Sequence, residues 1–140
     1  MVDVNSLVFT TLYNQINHTF QGVDVKDEYI DESSTFPVVT ITEDSNTDYQ
    51  KTMVHSWAPH AKLMYSINIY TNSKTKKTDA RKLLNCIDNT MHGMKFIKTF
   101  CRPTPNVDRT IYRITARYEA VVEEPKITAK GDRIFQVYRQ

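Results

Sequence analysis

A chain of 140 residues, 40% hydrophobic and 24% charged, is long enough to bury a core without metals or disulfides. Its three glycines and five prolines exclude a fibrous or low-complexity polymer. Eighteen basic against sixteen acidic residues leave a net charge of +2, which gives no overall attraction to nucleic acid, so such a role would need a local patch.

Cys86 and Cys101 have no third or fourth partner, which excludes a disulfide framework and a thiolate metal site and fits two buried thiols in a reducing compartment. The N-terminus carries Asp3 and Asn5 where a secretory signal needs positive charge, and no apolar run reaches a membrane-spanning length. A soluble protein made in the cytoplasm is expected.

In chain order, Val4, Leu7, Val8, Leu12 and Ile16 recur at helical spacing, with Asp3 as candidate N-cap and Gly22 after the last turn. That spacing predicts a helix over 3–18. "TFPVVTITED" is rich in β-branched residues, and Pro37 suits the start of a strand. Residues 44–60 are polar at first and then carry Tyr49, Met53, Val54 and Trp57. A connection this long predicts a protruding hairpin or a functional loop, with an extended arm favoured and its aromatic and Met side chains exposed as contact anchors.

"KLMYSINIYT" places Leu63, Tyr65, Ile67 and Ile69 on one face, with Met64, Ser66, Asn68 and Tyr70 on a partly wet one. From Thr78, Ala80, Leu83, Leu84, Ile87 and Met91 form a stripe ending at Gly93, a helix with a glycine cap. "MKFIKTFC" and "DRTIYRITARYEAVV" read as a strand pair across a proline-containing turn, with Tyr112, Ile114, Ala116, Tyr118 and Ala120 sharing a face. "RIFQVY" near the C-terminus has nothing local to pair with, so it is expected to close a sheet edge or to reach a neighbouring molecule. The order predicts an α+β fold: a mainly antiparallel sheet covered by two helices, with a long arm (about 44–60) and a C-terminal extension. One domain over 1–124 and an extension over 125–140 are expected.

Three stretches carry residue types with possible chemistry. The strand, basic connection and helix of "YTNSKTKKTDARKLL" have the order of a phosphate cradle, but the connection has no glycine. Backbone N–H groups cannot converge there as in a phosphate loop. Its lysines, Lys74, Lys76 and Lys77, then mark an exposed corner. His55 and His60 in "HSWAPH" match no metal-ligand spacing. Phe96, Phe100, Tyr112 and Tyr118 interleave with Lys98, Arg113 and Arg117, as in single-strand nucleic-acid platforms. Alternation sets Arg113 and Arg117 opposite Tyr112 and Tyr118, so the aromatics are expected in the core and the arginines outside. No nucleophile elbow or paired carboxylate marks an enzyme, and neither metal nor cofactor is implied.

Four stretches taken together, "VNSLVFTTLYNQI", "TFPVVTITED", "YSINIYTNSKTKKTDARKLLNCIDNTM" and "RTIYRITARYEAVVE" with a tail ending "IFQVYRQ", resemble the tail terminator and tail-completion proteins of long-tailed bacteriophages. The resemblance covers most of the chain and rests on patterns of strand and helix. It implies a non-enzymatic virion protein of the tail and neck, assembled in the host cytoplasm as a homo-oligomeric ring, commonly a hexamer. The ring would cap the head-proximal end of the tail tube, stop its polymerisation and meet head-completion and neck proteins. Interface candidates are Tyr49, Met53, Trp57, Ile134, Phe135 and Tyr138; Lys74, Lys76, Lys77, Arg113 and Arg117 are candidate DNA-facing or interface cations. No membrane contact is implied. Another neck component, head-completion or adaptor, is the alternative, and a small single-stranded nucleic-acid-binding module is a more distant one.

Overall fold

The computed structural model describes residues 2–27, 35–54, 59–105, 108–123, 126–127 and 133–134. Helix α1 (Asn5–Thr19) leads into a short strand β1 (Asp24–Lys26), then β2 (Val38–Asp48), a 3-10 turn (Gln50–Thr52) and β3 (His60–Thr71). Helix α2 (Lys76–Gly93) follows, then β4 (Ile97–Pro103), β5 (Tyr112–Glu123), β6 (Lys126–Ile127) and β7 (Arg133–Ile134). The five-stranded sheet runs β1-β2-β3-β5-β4, and β6 with β7 forms a separate two-stranded ribbon. Only β1 lies parallel to its neighbour; the other pairings are antiparallel. The α+β expectation holds.

Period-two alternation decides which sheet face meets the helices. Leu63, Tyr65, Ile67 and Ile69 of β3 stand opposite Ala120, Tyr118, Ala116 and Ile114 of β5. They form one buried cluster with Val8, Leu12 and Ile16 of α1 and Ala80, Leu83, Ile87 and Met91 of α2. The second face is more polar, yet Thr40, Ser66, Tyr70 and Thr115 are buried there. They are drier than the partly wet face the alternation predicts. The Ser66 hydroxyl donates to Asp44 and that of Thr115 to Asn68, which is how polar groups tolerate burial.

Several local expectations are corrected, among them the two buried thiols: Cys86 is half-buried and Cys101 exposed. The N-cap of α1 is Val4, not Asp3, whose carboxylate instead accepts the Asn5 N–H at 3.2 Å. Gly93 is the last residue of α2, and the left-handed turn falls on Lys95 (φ 70°). Much of the arm is sheet: β2 and β3 pair out to Asp48 and Ala61 across a bulge between Glu43 and Ser45. Polar residues 44–48 hide that strand because their intrinsic β preference is low and pairing supplies what propensity does not. Arg133–Ile134 has a local partner after all, Lys126–Ile127. The two-residue strand β6 was too short to be read from the sequence.

Candidate functional site

Two margins of the sheet hold the chemistry. The first is where β4 meets the start of β5. A register shift between Lys98 and Phe100 sends successive β4 residues to different places. Lys98, opposite Tyr118, reaches the carboxylate of Asp88 on α2 at 3.1 Å. That carboxylate also accepts the Tyr118 hydroxyl at 2.9 Å and lies 3.5 Å from His92 Nδ1. Burial, then the Asp88 hydrogen bond and charge, push the Tyr118 phenol far above its usual range.

Phe100 and Arg102 fall on the other face, opposite Arg117 and Thr115. The guanidinium of Arg117 sits 4.8 Å from the Phe100 ring centroid and that of Arg102 5.2 Å from it. Both distances lie within cation–π reach. Arg113 lies 5.4 Å from the buried Tyr70 ring and donates through Nε to Asn68 Oδ1 at 3.0 Å. Thr115 donates to the same oxygen at 2.7 Å. Its own oxygen, 2.7 Å from Thr104 Oγ1, then accepts from Thr104, so Arg113 is held by an oriented chain of hydrogen bonds. Phe96 and Tyr118 lie in the core and Tyr112 packs against it, as alternation predicts. Phe100 departs from that expectation because of the register shift. Arg102 is missing from the sequence expectation, although the even spacings Phe100 to Arg102 and Arg113 to Arg117 each set a pair on one strand face.

The second margin is the connection before α2. Lys74 and Lys77 are exposed, and Lys76 Nζ lies 3.5 Å from the Thr110 carbonyl oxygen, which sets this corner beside the start of β5. Asp79 in the first turn of α2 accepts from Ser73 Oγ at 2.6 Å and Thr75 Oγ1 at 3.2 Å. The helix N-terminus therefore carries its own carboxylate, which the macrodipole favours, where a phosphate cradle would hold its ligand. Nearby, hydrogen bonds from Thr110 hold the exposed Asp108 carboxyl below its usual range.

The arm residues divide. Tyr49 is buried, at 9% exposure, rather than standing out as an anchor, while Met53 and Val54 are exposed. His60 is half-buried, with Nδ1 2.9 Å from Thr52 Oγ1 and Nε2 3.8 Å from Glu123. Trp57, His55, Phe135 and Tyr138 lie outside the described residues, as does the side chain of Ile134. On the helix layer, an open groove of about 780 Å³ between α1 and α2 is lined mainly by hydroxyl and amide side chains, among them Thr11, Gln15, Asn85 and Asn89. No helix among the described residues is long and apolar enough to cross a membrane.

Among the described residues, fold and site together define an α+β protein whose sheet ends in the exposed strand β4, with an arginine–aromatic margin beside it. No family model matches the sequence, and no curated protein does. Among solved structures, the chain is similar to the sheath/tube terminator of an extracellular contractile injection system, PVC, in its extended state, with a TM-score of 0.49 and 8% identity. That likeness covers 100% of this chain and 66% of the other.

Proposed function

We propose that the chain is a tail terminator, a non-enzymatic subunit that closes into a ring on the head-proximal end of a tail tube. The ring stops tube polymerisation and joins tail to head. The observation that carries this reading is β4. It is a seven-residue strand at the end of the sheet order, exposed on both faces except at half-buried Phe100, with Ile97 69% exposed. Lys98, Arg102, Pro103 and the register shift on β4 blunt unspecific pairing at such an edge, but none of them shortens or covers it. An assembly subunit keeps it for a neighbour's strand.

A ring made by a fixed rotation needs two different complementary patches on each subunit. The β4 edge supplies one, and the exposed Met53 and Val54 at the far end of the β2–β3 hairpin belong to the second. Trp57, Ile134, Phe135 and Tyr138 are the remaining candidates for it. The sequence resemblance implies a ring that is commonly a hexamer, with the tube protein as partner on one side and head-completion or adaptor proteins as partners on the other. A head-completion or adaptor protein would use the same edge; the terminator alone arrests elongation when added to growing tubes.

Light scattering on the full chain, with and without tail tubes, tests the assignment. Wild type should form a discrete ring and arrest tube growth. Ile97→Lys should stay monomeric, with a thermal midpoint equal to that of dilute, unassembled wild type, since surface substitutions usually move stability by less than about 0.5 kcal/mol. A wild type that remains monomeric at high concentration and fails to arrest tubes would sink the reading.

A further inference from the structure

We propose that the arginine row on β4 and β5 is a binding surface for the phosphodiester backbone of duplex DNA. A net charge of +2 conceals how unevenly the charges lie. Arg102, Arg113 and Arg117 share one sheet face at the β4–β5 margin, next to the lysine-bearing connection before α2. The acidic groups of that face are Glu119 and Glu123, further along β5, and Asp44, held by Ser66 opposite Arg117. Clustered cations of this kind attract polyanions even when the whole molecule is nearly neutral.

Geometry separates this row from an ordinary solvated charge run. The guanidiniums of Arg102 and Arg117 lie 5.2 and 4.8 Å from the Phe100 ring centroid, and that of Arg113 5.4 Å from Tyr70. Arg113 is further fixed by its 3.0 Å hydrogen bond to Asn68. Positioned guanidiniums lose less side-chain freedom on binding, and their planar forks match phosphate oxygens. Base stacking is disfavoured by the same contacts: two guanidiniums engage the Phe100 ring, and Tyr70 is buried. A single-strand platform needs free aromatic faces. What remains available is cationic N–H, which positions a backbone without reading sequence.

This surface does not depend on ring formation, so the full chain is tested in whatever oligomeric state it adopts. Fluorescence anisotropy would follow titrations into a short labelled duplex, a single strand of equal length and a poly-glutamate peptide, over a range of salt. Three phosphate contacts on a duplex predict a log–log salt slope of about −2.7, at about −0.9 per contact. Arg102→Ala and Arg117→Ala, both at exposed positions, should each flatten the slope by about one contact without sequence preference. Arg113→Lys keeps the charge at the hydrogen-bonded position and should retain most of the slope. Undetectable duplex binding at low salt, or slopes unaltered in both alanine variants, would overturn the proposal. A strong preference for the single strand would overturn it in favour of base stacking, and equal arginine-dependent binding of poly-glutamate would reassign the row to an acidic protein.

Discussion

Tyr65 and Tyr118 stand opposite each other across β3 and β5, fully buried, with their hydroxyls held by acidic partners. The Tyr65 hydroxyl lies 3.0 Å from Glu43 Oε2 and 3.1 Å from Asn5 Oδ1, and that of Tyr118 lies 2.9 Å from Asp88. Burial comes first in raising both phenols, and the carboxylates add to it by repelling a phenolate. The folded-state values are therefore above the unfolded value of about 10. A group shifted in this direction contributes stability that is complete below the unfolded value and lost as pH rises through it and beyond. Alkaline titration followed by phenolate absorbance should thus leave Tyr65 and Tyr118 un-ionised until the chain unfolds. Tyr118→Phe should cost about 1 kcal/mol near neutrality, since one hydrogen bond is lost while Asp88 keeps Lys98 and His92. Its stability should also fall less steeply above pH 10 than that of wild type. A variant with the same alkaline slope as wild type would show that the Tyr118 hydroxyl does not couple to folding.

At the scale of elements, the end of α2 offers a paired test. Gly93 is helical and nothing lies within 4 Å of the position a Cβ would occupy, so Gly93→Ala should stabilise by about 0.5–1 kcal/mol. Lys95 holds the left-handed conformation at φ 70°, which an L side chain adopts at a cost of about 1–2 kcal/mol. Lys95→Gly should recover part of that cost, and denaturant midpoints would read both changes. Had Gly93 been the left-handed cap, as its place after the apolar stripe implies, Gly93→Ala would destabilise instead. The example shows what was legible in the sequence. Both helices, β3 and β5 follow from apolar periodicity, because burial enforces it; exposed β4 is legible as the partner of β5 across the proline-containing turn. The left-handed residue, the β1 pairing of three residues and the far half of the β2–β3 hairpin do not, because tertiary contacts decide them. The arginine row was half legible: alternation sets Arg113 and Arg117 outward, but only the register shift in β4 brings Phe100 and Arg102 to them.

For the whole molecule, the open β4 edge and the arginine row lie side by side but differ in physical character. Strand addition at β4 rests on main-chain hydrogen bonds and on burial of Ile97, both weakly affected by salt, whereas phosphate binding weakens steeply with it. Association should also appear in stability, because a neighbour that binds the folded chain and not the unfolded one stabilises by mass action. The gain is about 2.7 kcal/mol when its concentration is 100 times the dissociation constant. Differential scanning calorimetry across a wide range of protein concentration should therefore give a wild-type midpoint that climbs with concentration, and does so equally at low and moderate salt. Ile97→Lys should give a flat midpoint equal to the wild-type value at the most dilute end, since the residue is 69% exposed and contributes little to the isolated fold. A wild-type midpoint independent of concentration would mean that β4 is open in the working protein. One that climbs identically in Ile97→Lys would move the contact to the hairpin end marked by Met53 and Val54.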